Sequence, residues 1–146
     1  MNKARYISSI LFDNSLSKNS YLNDLPVIKY LAQNNELKFS SNVTFFVGEN
    51  GTGKSTLLEA IAVAYGFNAE GGTRNFSFST KDTHSELSKH LTLIKRDYAK
   101  DGFFLRAESL YNAATYIDEV KATHNYGDVS LHNQSHGESF LSIVQN

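Results

Sequence analysis

Gly48-Glu49-Asn50-Gly51-Thr52-Gly53-Lys54-Ser55-Thr56 reads GENGTGKST. Gly48 and Gly53 bracket four residues, and a lysine and a hydroxyl follow, which is the spacing G-x-x-x-x-G-K-[ST]. Glycines at positions 48, 51 and 53 allow backbone conformations closed to residues with a Cβ, so that successive N–H groups turn inward into an anion-binding nest. Lys54 adds a point charge with three donors, and the Ser55 hydroxyl is of the kind that ligates a divalent cation beside a phosphate. A helix that begins at this point directs its positive end at the same anion.

The flanks decide whether that loop is a chance glycine turn. Upstream, Val43-Thr44-Phe45-Phe46-Val47 is a β-rich apolar run, expected to be the buried strand that leads into the loop. Downstream, Leu57, Leu58, Ile61 and Ala62 recur at helical spacing, with Ala60 and Ala64 as helix formers. Strand, glycine loop and helix come in the order this chemistry needs. The sequence therefore predicts a phosphate-binding loop of the Walker A kind for a nucleoside triphosphate and Mg²⁺. Its contacts are Gly48, Glu49, Asn50, Gly51, Thr52, Gly53, Lys54, Ser55 and Thr56, with Ser55 as the metal ligand.

Composition narrows the class. The chain of 146 residues is long enough for one domain with a core, and carries a net charge of −1. There is no global basic field to argue for nucleic acid. It has no cysteine, hence no disulfide and no thiolate-held zinc. No apolar run approaches the ~20 residues of a membrane span, and MNKARYISSI lacks a signal peptide's apolar stretch, so a cytoplasmic location is expected. One proline and no Gly/Ser linker argue against an internal domain boundary.

Before the loop, Arg5 to Phe12 reads as a strand with Tyr6, Ile10 and Phe12 on one face. Asp13 to Asn23 reads as loop, Pro26 as the start of a helix, and Glu36 to Ser40 as a short strand. Tyr6, Tyr21 and Tyr30 are candidates to stack on a base, although a half-buried core tyrosine is the plainer reading of each. After the loop helix, Gly66 to Gly72 reads as a break and Arg74 to Ser79 as a half-exposed strand. Leu91 to Tyr98 and Phe103 to Arg106 read as strands around the turn Lys100-Asp101-Gly102. So many strands in succession predict an antiparallel β subdomain beside the α/β core.

From Glu108, the residues Leu110, Ala113, Ala114, Ile117 and Val120 form a helical stripe. Ala113 to Glu119, AATYIDE, ends in an Asp-Glu pair like a Walker B strand, but the helical spacing and two alanines argue against a strand. Thr123-His124 resembles the switch histidine of some ATPases, but its loop-like neighbours make a surface histidine the plainer reading. Ser135-His136-Gly137-Glu138, ahead of Phe140, Leu141, Ile143 and Val144, looks like a helix start; a serine and a glycine there make a second anion-ready terminus, although an ordinary N-cap is the plainer reading on physical grounds alone.

The stretches VTFFVGENGTGKSTLLEAIA, GFNAEGGTRNF, GFFLRAES and LHNQSHGESFL, spread from Val43 to Leu141, resemble the ABC-type ATPase heads of the SMC and DNA-repair kind. They are similar above all to small bacterial ATPases of the AAA family. The resemblance implies an α/β P-loop NTPase fold. It implies a phosphate-loop core at about residues 1–106 and a helical, signature-bearing segment at about residues 107–146. It also implies that Ser135, His136, Gly137 and Glu138 are the signature motif, which caps the γ-phosphate held by a second subunit. In such proteins a Walker B strand and a switch histidine follow the signature, so the chain is expected to be the N-terminal part of a longer ATPase. A Q-loop glutamine is not identifiable; Glu108 is the candidate for its place.

The expected function is therefore an ATP-binding module of an ABC-type ATPase. Its heads would dimerise around Mg-ATP and hydrolyse it, with hydrolysis needing a carboxylate this segment lacks. Two alternatives are a small complete P-loop kinase or GTPase with Asp118 as its Walker B residue, and a non-hydrolysing nucleotide-sensing module. A homodimer and a further protein subunit are the partners implied, and nucleic acid by analogy alone.

Overall fold

The computed structural model describes residues 6–69, 71–73 and 86–106. Arg74 to Ser79 and everything from Glu108 onward lie outside the described residues. That includes Asp118, Thr123-His124 and the signature candidates Ser135, His136, Gly137 and Glu138.

Strand β1, Ile7–Phe12, is the middle of a three-stranded antiparallel sheet. Ile10 and Phe12 point into the core and Leu11 points out, the alternation a half-buried strand requires. Its partners are β2, Glu36–Lys38, and β4, Leu91–Lys95. Ile10 is opposite Leu37 on one side and Leu93 on the other. An irregularity between Ile7 and Ser9 shifts the register to β4. There the Ser8 hydroxyl donates to the Ile94 carbonyl at 3.0 Å.

Helix α1, Pro26–Asn34, starts where proline fixes φ at the first helical position. Ile28 and Leu31, three apart, bury its inner face. Asn35 ends it in the left-handed region, φ 56°, with its N–H bonded to the Leu31 carbonyl. Helix α2, Lys54–Tyr65, runs from the glycine loop to Gly66, whose N–H reaches the Ala62 and Val63 carbonyls. Leu57, Ala60 and Ile61 join Ile10, Phe12, Leu22, Ile28, Leu31, Leu87 and Leu91 in one apolar core. Thus α2 and α1 are both anchored to β1, and the glycine loop lies at the start of one and beside the start of the other.

Two expectations are corrected. Val43–Val47 is not a strand: among the described residues it joins no ladder. Phe45 and Val47 are 83% and 90% exposed, and only Phe46 turns inward, edge-on to Phe39 with ring centroids 6.4 Å apart. A strand apolar on both faces needs neighbours on both sides, and the described residues supply none. The two strands expected around Lys100-Asp101-Gly102 are shorter than their apolar runs and are not each other's partners. β4 ends at Lys95 and pairs with β1; β5, Phe103–Phe104, pairs with β3, Gly72–Thr73. Single-turn 3-10 helices at Tyr21–Asp24 and Glu86–His90 complete the described elements.

Candidate functional site

The loop from Gly48 to Gly53 is closed on itself by polar contacts. The Thr52 hydroxyl donates to the Glu49 carbonyl at 2.9 Å. The Lys54 ammonium donates to the carbonyls of Gly48, 2.8 Å, and Glu49, 2.7 Å. An ammonium has three donors, so two hold the mouth of the loop together and one remains for an incoming anion. Gly51 and Gly53 take φ of 82° and 93°, values that a Cβ would strain. They turn the chain so that Gly53 becomes the cap of α2, with no side-chain acceptor of its own.

The donors of that helix start are uncommitted. The first bond back to the loop is Leu57 N–H to the Gly53 carbonyl, 2.9 Å. Among the described residues, the N–H groups of Gly51, Gly53, Lys54, Ser55 and Thr56 have no acceptor. A cluster of orphan N–H groups, a helix N-terminus and one spare ammonium donor is a site for a multiply charged anion. Ser55 is exposed beside them and offers its hydroxyl oxygen to a cation. No three acidic or histidine side chains gather to hold a metal among the described residues. Glu49 and Asn50 are exposed at the rim, and Thr56 is half-buried behind it.

The three tyrosines separate in space, and none of them is core. Tyr30 is half-exposed on α1, in the wall of a cavity of about 350 Å³ that it shares with Val27, Phe45, Val47, Thr52 and Lys54. Tyr6 lines a different cavity, with Phe39, Phe46 and Leu58, and Tyr21 is on the surface of its 3-10 turn. On the far side of α2, Arg106 donates to the Glu59 carboxylate at 2.7 Å and to the Ala69 carbonyl at 3.0 Å. This pair ties the GFFLR segment to the loop helix two residues before Glu108. Sequence reasoning missed both this link and the packing of α1 on the loop. The charges at Glu59 and Arg106 are visible in the sequence, but their pairing is a matter of tertiary distance.

With the geometry in view, comparison with known proteins is informative. Residues 27–140 match the family described as the AAA domain, which takes in the loop, both helices and the segment up to the signature candidates. Among curated proteins, structural maintenance of chromosomes protein 6 of Takifugu rubripes is similar, 28% identical over 122 residues. That is 78% of this chain and 11% of the relative, so the chain spans about a tenth of that protein's length. No solved structure matches the chain. No helix among the described residues is long and apolar enough to cross a membrane. The family match covers most of the chain and implies a P-loop NTPase; the chain belongs to the AAA domain family.

Proposed function

We propose that the chain binds Mg-ATP through Gly48 to Thr56 as part of an ABC-type ATPase head. The observation that carries this is the set of uncommitted N–H groups at the start of α2, closed over by Lys54 with one donor to spare. Phosphoryl transfer asks a protein chiefly for position and charge, and this loop offers both. Family membership and the likeness to a chromosome-maintenance protein support the choice of an ATPase over other phosphate binders.

In this reading two heads close around nucleotide, and Ser135, His136, Gly137 and Glu138 of one approach the γ-phosphate held by the other. A serine and a glycine ahead of an apolar helix suit that role, because the glycine admits a phosphate where a side chain would exclude it. Hydrolysis belongs to the assembled ATPase and draws its water-activating carboxylate from outside the phosphate loop. Nucleic acid as an ultimate partner rests on analogy at the level of fold alone.

Lys54→Ala tests the nucleotide site. Its loss removes a charge-assisted contact of about 1.5–3 kcal/mol, or roughly ten- to a hundred-fold in affinity. Isothermal titration of Mg-ATP into both proteins reads this, with the far-UV circular dichroism unchanged. Equal affinities would show that nucleotide binds elsewhere.

A further inference from the structure

Helix α1 starts without a cap of its own. Its N-cap residue, Leu25, has no polar side-chain atom, and Pro26 has no N–H. The N–H groups of Ile28 and Lys29 turn back to the Leu25 carbonyl at 3.0 and 3.1 Å. That of Val27 goes elsewhere: it donates to the carbonyl of Thr52, 3.2 Å away, inside the phosphate loop. The loop thus supplies the acceptor that the start of α1 lacks.

Packing follows the same line. Gly53 is buried although it adjoins the open mouth of the loop. A methyl group on it would fall 2.5 Å from Val27 Cγ1 and 3.4 Å from Leu25 Cβ and Cδ1. By contrast, a methyl on Gly51 would meet nothing within 4 Å. The turn at Gly53, φ 93°, is therefore pressed against α1, while the turn at Gly51 stands open. α1 is itself held to the core by Ile28 and Leu31, both almost wholly buried.

We propose that α1 buttresses the phosphate loop and that Val27 is the positioning residue, fixing Thr52 and Gly53 so that the N–H groups beyond them converge. This rests on the nucleotide-binding reading above. Val27 offers nothing to phosphate, since its N–H is spent on Thr52, so its effect passes through the loop. The coupling is reciprocal: whatever binds the loop in this conformation also stabilises the first turn of α1.

Three proteins test this: the unmodified chain, Val27→Ala and Val27→Ile, by amide hydrogen exchange and by titration with Mg-ATP. Alanine keeps the N–H but removes the wall against Gly53; isoleucine keeps the wall. Without nucleotide, Val27→Ala is expected to speed exchange at Thr52 and Leu57 while leaving the amides of Asp13 and Arg96, bonded to the His90 and Tyr6 carbonyls across β1 and β4, as they were. Mg-ATP affinity is expected to fall roughly three- to ten-fold, the range of a coupling carried by one packed contact, and to recover in Val27→Ile. Unchanged exchange at Thr52 and Leu57 in Val27→Ala overturns the proposal. So does faster exchange at every site, which would mean a general loss of stability. So does undiminished Mg-ATP affinity in that variant when the unmodified chain binds. If none of the three binds nucleotide yet the local exchange difference is present, the buttress stands and the nucleotide reading falls.

Discussion

Between Gly48 and Leu57 the backbone is tied at both ends and across the middle, through Lys54, the Thr52 hydroxyl, the Val27 N–H and the first bond of α2. Between Val43 and Val47, immediately before it, no strand partner is present among the described residues, and three large apolar side chains, Val43, Phe45 and Val47, face outward. The two stretches are equally conspicuous in sequence. The difference is in where their partners come from. The loop is completed by residues within reach of itself, plus one helix placed by a neighbouring proline. A doubly apolar strand is completed only by other strands, which its own sequence cannot bring. Local chemistry closes a loop; a ladder is a property of two segments.

That contrast predicts a steep gradient of mutational cost over a few residues. Leu57→Ala, at a fully buried position in the first turn of α2, is expected to cost about 2–5 kcal/mol, the range for a leucine deleted from a packed core. Phe45→Ser is expected to stay within about 0.5 kcal/mol, because an 83% exposed ring loses few contacts. Urea midpoints for the two variants measure the gap. Comparable losses would mean that the run before the loop is as well packed as the helix after it.

A smaller contrast divides the loop itself. Gly53→Ala meets both a left-handed φ and the Val27 methyl, and is expected to cost about 2–3 kcal/mol. Gly51→Ala meets the φ alone, with open space around it, and is expected to cost about 1 kcal/mol. Thermal midpoints of the pair sharpen the comparison. Equal losses would show that backbone strain, not contact with α1, makes Gly53 necessary.

These differences explain what was legible in the sequence. Pro26, Gly53 and Gly66 punctuate the helices because each acts through its own backbone: α1 begins at Pro26, and α2 runs between Gly53 and Gly66. β1 and β2 were legible because Ile10, Phe12 and the short ELK run alternate within a few residues of a turn. Walker-type spacing located the donors of the loop for the same reason. What escaped is non-local. The ladder that is absent beside Phe45 among the described residues, the pairing of β4 with β1 instead of β5, and the seat of Gly53 on Val27 all depend on segments far apart in the chain. Arg106 and Glu59 belong with them, as two unremarkable charges that meet at 2.7 Å.

The central claim is that a polyphosphate is held by the N–H groups at the start of α2. Amide resonances of Gly51, Gly53, Lys54 and Ser55, followed by NMR while ATP, ADP and adenosine are added with Mg²⁺, test it most directly. The account predicts large downfield shifts at these amides with ATP and ADP, as each N–H gains a charged acceptor, and none with adenosine. Shifts confined to other residues, or the same shifts with adenosine, would contradict it.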